Sequence, residues 1–228
     1  MYLKSILLLF VILSGSEAAL PDLGTCSFME YFCDAMKCKT DFFKRLQKDP
    51  NGACSAKFRQ LKRCVIKTVD ICTGHVVSQS QIESVVHQHF EEDTFCLKGG
   101  WSPAASAGSP CRSSYNSDAN NCLRTFHQTF AADKSDPKLC SEYAKAKKCM
   151  KNLVASACSF SSSEQEILDL GFSDYNPFCE NNRHPGATGN DQRFGVKKLN
   201  NPFHSSYPTK TGNLQVVLVL VLALLFII

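Results

Sequence analysis

The chain has no Asn-x-Ser/Thr triplet, so ordinary N-linked glycosylation is not expected. It has no Gly-x-Ser-x-Gly elbow, no His-Glu-x-x-His and no phosphate-binding loop, which removes the commonest signatures of hydrolases, zinc peptidases and nucleotide enzymes. Nor is there a large excess of one charge. The 25 basic and 21 acidic residues leave a formal net charge of +4, too balanced to argue for nucleic acid or acidic lipid as a partner. No segment alternates apolar and polar residues as a half-buried strand would.

What the chain has in abundance is cysteine. Thirteen occur in 228 residues, none adjacent to another. Such usage points to an oxidising compartment, because cytosolic glutathione would keep these thiols reduced. Twelve of them fall into two matching sets. Cys26, Cys38, Cys54, Cys64, Cys72 and Cys96 answer to Cys111, Cys122, Cys140, Cys149, Cys158 and Cys179. The gaps are 12, 16, 10, 8 and 24 in the first set, and 11, 18, 9, 9 and 21 in the second. The surrounding residues repeat as well. Cys38-Phe42-Leu46-Asp49 matches Cys122-Phe126-Phe130-Asp133, and Thr94-Phe95-Cys96 matches Pro177-Phe178-Cys179. Each set of six allows 15 pairings, and spacing does not choose among them. Cys33 is left over. It reads as a spare thiol on the first helix, as an intermolecular bridge that would make a covalent homodimer, or as a substitute for Cys26 or Cys38. Zinc is a weak competitor, since its sites favour ligands two to four residues apart, and only Cys33 and Cys38 approach that spacing.

The periodicity is helical. Phe58, Leu61, Val65 and Val69 recur at intervals of three and four, as do Leu139, Tyr143, Ala146, Met150 and Leu153. Ser80-Gln81-Ile82-Glu83 and Ser163-Glu164-Gln165-Glu166 have the form of capping boxes, and Asp136 suits an N-cap before Pro137. The expected architecture is all-α: two tandem small disulfide-rich helical domains, residues 26–96 and 111–179, with three to four helices each. Residues 97–110, rich in glycine, serine, alanine and proline, read as a linker, and 180–213 as a disordered stalk.

Both ends carry targeting features. Lys4, the apolar Ile6–Leu13 and the small Ser16 and Ala18 read as a signal peptide over residues 1–18. The hydrophobic segment 214–228 contains the wholly apolar Val216–Ile228. As a helix those thirteen residues would cover about 20 Å, short of the roughly 30 Å of a bilayer core. A polar spacer precedes them, so the layout fits a glycosylphosphatidylinositol (GPI) attachment signal, with Ser205 as the candidate lipid attachment residue.

No catalytic constellation is found, and neither a metal nor a cofactor is implied. His87 and His89 would point about 200° apart on a helix. His75 and His127 stand apart from them, and His184 and His204 fall in the stalk. Asp49 and Asp133 read as turn residues at helix ends. Basic residues flank Cys64 and Cys149, either as a solvated helix face, the plainer reading, or as an anion-binding patch. Signal peptide, tandem six-cysteine helical units and a GPI-type tail together are similar in layout to invertebrate families of secreted cysteine-rich helical-repeat proteins. They also resemble the GPI-anchored receptor components for GDNF-type growth factors. The likeness implies a lipid-anchored extracellular helical protein and carries over no ligand-binding residues. The expectation is a non-enzymatic cell-surface protein, anchored to the membrane by lipid, that binds an extracellular protein or glycan and no nucleic acid. A secreted matrix or structural protein is the alternative, and an extracellular hydrolase the second alternative.

Overall fold

A computed structural model of the chain describes residues 25–101, 111–160 and 162–187. The expected signal peptide, the rest of the expected linker and stalk, His204, Ser205 and the apolar tail lie outside these residues. The fold is all-α and disulfide-rich. Seven helices occur among the described residues, which we number α1 (Phe28–Lys48), α2 (Cys54–Cys72), α3 (Gln79–His89), α4 (Glu92–Leu97), α5 (Tyr115–Ala132), α6 (Leu139–Ala157) and α7 (Ser162–Gly171). They contain no strand, only isolated bridges at Cys111–Cys158 and Tyr175–Arg183.

Each half of the molecule is built on a helical hairpin. In the first half Cys26, just before α1, bonds Cys72 at the end of α2, and Cys38 bonds Cys64 midway along both helices. At the other end Asp49, after α1, pairs with Lys57 in the first turn of α2 at 2.9 Å. These contacts fix α1 and α2 as antiparallel. The second half pairs in the same order: Cys111–Cys158 and Cys122–Cys149 join the ends and middles of α5 and α6. In each half a third bridge pulls the returning segment onto the start of the second helix, Cys54–Cys96 and Cys140–Cys179. The first, second and third cysteines thus bond the fifth, fourth and sixth in both halves. These bridges close loops of 26 to 47 residues, and loops of that size restrict the unfolded chain by roughly 3–4 kcal/mol each.

Helix ends follow local chemistry. Ser27 caps α1: its hydroxyl accepts the Glu30 N–H at 3.2 Å, and the Glu30 carboxylate accepts the Ser27 N–H at 2.8 Å. α3 begins one turn-edge earlier than its sequence suggested. The cap is Ser78 with Gln81, not Ser80 with Glu83, because Gln81 lies three residues on and reaches back to the Ser78 N–H at 3.1 Å. Asp136 forms a turn rather than a cap; its carboxylate accepts the Lys138 N–H at 2.7 Å, and α6 starts after it. Asp49 and Asp133 occupy the same place in the two halves, each the C-terminal cap of the first hairpin helix.

Within each hairpin the apolar stripe turns inward. Phe58, Leu61, Val65 and Val69 are buried on α2, and Leu139, Tyr143, Ala146, Met150 and Leu153 on α6. An aromatic triad fills each half. Phe42, Phe58 and Phe95 lie 5.6–6.4 Å apart between ring centres, and Phe126, Tyr143 and Phe178 lie 5.2–5.4 Å apart. These are favourable edge and tilted geometries. The two cores are continuous. Phe43 of α1 touches Phe178 at 4.7 Å and Phe130 at 6.1 Å, so one hydrophobic cluster runs through both halves.

Candidate functional site: the seam between the halves

The sequence places the residues of the seam far apart, and three separate segments bring them together. The first is the outer face of α1, with Phe32, Met36, Lys39, Thr40 and Phe43. The second is Gly99-Gly100-Trp101, at the start of the stretch expected to be a linker. The third is the irregular Ser173–Cys179, between α7 and the last cysteine. Gly99 and Gly100 have φ of +64° and +79°, which a glycine adopts without strain. A Cβ on Gly99 would stand 2.5 Å from Phe126, and one on Gly100 would stand 2.8 Å from Phe43. The pair therefore lets the backbone pass between the aromatic rings of the two halves. Trp101 follows and is buried against Tyr143 at 5.4 Å and Phe172 at 6.3 Å, while its carbonyl meets His127 Nε2 at 3.0 Å.

Polar groups cross the seam as well. The Tyr175 hydroxyl donates to the Met36 carbonyl at 3.0 Å and sits 2.6 Å from the Thr40 hydroxyl, tying the second half to α1. Lys147 donates to the Tyr175 carbonyl at 2.9 Å and lies over the Tyr143 and Tyr175 rings at 5.7 and 5.8 Å. Lys39 lies over Phe95 at 5.7 Å. Both lysines are almost fully buried, at 4% and 3% exposure. Burial pushes the Lys39 ammonium down to about 7, and the charge of Lys147 adds to this. Burial also lowers Lys147 to about 7, with Asp174 opposing. Asn176 is fully buried and holds the irregular segment together. Its amide donates to the Cys140 carbonyl at 2.8 Å and meets His184 Nδ1 at 3.2 Å, while its side-chain oxygen accepts the Phe178 N–H at 3.1 Å. Desolvation, with the charge of Lys147 adding to it and Asp174 opposing, lowers His184 to about 4. Residues 180–187, the start of the expected stalk, pack here through His184 and the Arg183–Asp174 pair at 2.8 Å.

Phe32, Met36, Trp101, Tyr143, Lys147, Ser173 and Tyr175 surround a cavity of about 10 Å³, the scale of a single water probe. That volume is too small for an organic ligand, and the residues around it join the two halves. The histidines are dispersed. His75 pairs with Asp70 at 2.9 Å on the surface of α2, and His87 Nδ1 meets the Glu83 carbonyl at 2.6 Å on α3. Among the described residues no three His, Cys, Asp or Glu side chains come together as metal ligands. Cys33 is half-buried on α1.

Sequence reasoning found the aromatic stripes and missed the seam. Tyr175, Asn176 and Lys147 carry no period, and their partners lie up to 139 residues away. Gly99-Gly100 was the one visible signal, and glycine-rich composition made it read as linker.

The geometry defines an all-α, disulfide-rich protein whose six bridges suit an extracellular or secreted setting. Among the described residues no helix is long and apolar enough to cross a membrane. Comparison with protein-family models, with curated proteins and with solved structures finds no match.

Proposed function

We propose that the chain is a non-enzymatic cell-surface protein in which two copies of one stapled helical unit form a rigid platform for an extracellular partner. The observation that carries this reading is the duplicated bridge order, with the first, second and third cysteines bonded to the fifth, fourth and sixth in each half. A duplicated, covalently braced framework favours presentation of a rigid surface. The apolar Val216–Ile228, preceded by the polar Tyr207–Asn213, supports lipid anchoring by a GPI group near Ser205. On this reading the signal peptide is removed and the tail is exchanged for the lipid.

The test is release of the full chain from intact expressing cells by phosphatidylinositol-specific phospholipase C. Release of the protein, with a glycolipid remnant near Ser205 by mass spectrometry, is the expected result. A surface protein that resists the enzyme and keeps its apolar tail overturns the anchor. A protein found wholly in the medium or in deposited matrix overturns the surface-platform reading in favour of a secreted structural role.

A further inference from the structure

The second hairpin helix differs sharply between the two halves in what its basic residues do. α2 carries five of them against the single acid Asp70, a net of +4 that equals the net charge of the whole chain. Lys57 is engaged with Asp49. Arg59, Arg63 and Lys67 are exposed, and Lys62 is half-exposed with its ammonium 5.3 Å over the Phe58 ring. None of these four forms an ion pair with a described residue. On α6 three of the four basic residues are engaged, and Lys148 alone is exposed without an ion pair to a described residue. Lys145 pairs with Glu142 at 2.7 Å, Lys151 pairs with Asp169 at 3.2 Å and Lys147 is buried in the seam.

Arg59, Arg63 and Lys67 follow one another at intervals of four. They therefore form a single stripe about 12 Å long, each step rotated by about 40°. The stripe lies opposite the buried Phe58, Leu61, Val65 and Val69, so it faces outward along its whole length. Neither Asp70 nor Glu92, at the two ends of the helix, pairs with a cation of the stripe. Asp70 at the C-terminal end is occupied by His75, and Glu92 at the N-terminal end is occupied by the Ser55 hydroxyl. The Cys38–Cys64 and Cys54–Cys96 bridges hold the helix, so the cations are presented from a fixed backbone.

We propose that this stripe on α2 is a docking surface for a sulfated polysaccharide. The inference rests on the extracellular surface reading above. A single exposed ion pair gains little, at most about 1 kcal/mol. A linear polyanion gains more, because each cation it meets releases a condensed counterion and the contacts accumulate along the chain. Outside the cell the abundant linear polyanions are sulfated glycans, whereas anionic lipid is concentrated on the cytoplasmic leaflet. Binding of this kind is sensitive to salt.

The experiment uses the full chain extracted in detergent from expressing cells and the polysaccharide heparin, immobilised, as the probe. Retention at about 0.15 M salt is expected, with a steep loss as salt rises. The triple variant Arg59→Gln, Arg63→Gln, Lys67→Gln elutes earlier, and its log-affinity against log-salt slope is flatter by about three, one for each cation lost. Arg124→Gln, Lys138→Gln, Lys148→Gln removes the same charge from the second half and leaves elution near the native position. Far-ultraviolet circular dichroism on both variants checks that the helices persist. Equal behaviour of the two triples, or no retention of the native chain, overturns the proposal. So does binding to phosphatidylserine vesicles in place of heparin. Staining of intact cells for the native chain runs in parallel. A surface protein that ignores heparin overturns only the polysaccharide, and a heparin-binding protein absent from the surface overturns only the platform.

Discussion

The two halves close their frameworks differently on the same six-cysteine plan. The first returns to its last cysteine through two helices, α3 and α4. The second uses one helix, α7, and then the irregular Ser173–Cys179, organised around the buried Asn176. Identical bridges therefore leave the final segment to vary. The variation is what joins the molecule, because Tyr175 and Phe178 of the irregular segment reach α1 of the other half. Lysine use diverges in parallel: the Lys147 ammonium is drawn inside, while Lys62, at the matching place before Cys64, stays at the surface. The shared framework supplies the stability of each half, and the unshared residues supply the joint and the charged face.

The strongest way to break this comparison is to remove the third bridge from each half in turn. Cys54→Ala with Cys96→Ala opens a loop of 42 residues, and Cys140→Ala with Cys179→Ala opens one of 39. Each double variant is expected to lose about 4 kcal/mol in urea unfolding. The second should also loosen the seam, because the bridge anchors Phe178. Hydrogen exchange of the α1 amides around Met36, whose carbonyl accepts the Tyr175 hydroxyl, would show this, rising further in the second variant than in the first. Gly99→Ala comes next. A methyl group at φ +64° and 2.5 Å from Phe126 combines backbone strain with overpacking, for a loss of about 3 kcal/mol. Gly74→Ala, also at positive φ but 3.1 Å from the exposed Thr25 methyl, should lose only about 1 kcal/mol. Equal losses at both glycines would show that the seam does not constrain Gly99.

Asn176→Ala removes an amide that satisfies buried backbone groups and should cost about 2 kcal/mol. The first half has no counterpart, so the substitution tests the irregular segment alone. The buried lysines make the comparison depend on pH. Lys39 and Lys147 hold their protons to about 7 when folded, against an ordinary value of 10.5. Between those values the unfolded chain binds more protons, so stability rises as pH climbs from about 7 to about 10. Above the ordinary tyrosine value of 10.0 the trend reverses. Burial raises Tyr31, Tyr143 and Tyr175, and the folded chain keeps protons that the unfolded chain loses. The urea midpoint should trace this rise and fall. Lys147→Met should flatten the rise.

The all-α, disulfide-rich class was legible in the sequence because cysteine usage and the three-and-four spacing of Phe58, Leu61, Val65 and Val69 are local and redundant. Cap positions were legible only to within two residues, since Ser78 and Ser80 carry equally good hydroxyls and only the reach of Gln81 decides between them. The seam was not legible. A buried lysine looks like a solvated one until its carbonyl acceptor is placed, and Tyr175 finds Met36 only through the tertiary fold. The same holds for Gly99, whose role depends on a phenylalanine ring 27 residues further along the chain.

All six bridges close inside their own half, so the covalent graph of the molecule is two islands joined by one backbone thread. Within each island the second–fourth link nests inside the first–fifth, and the third–sixth link crosses both. A single proteolytic cut between Trp101 and Cys111 severs that thread and turns one chain into a heterodimer without reductant. Its dissociation constant then measures, as an equilibrium between two pieces, the strength with which aromatic rings and a few hydrogen bonds, those of Tyr175 and His127 among them, hold the halves together.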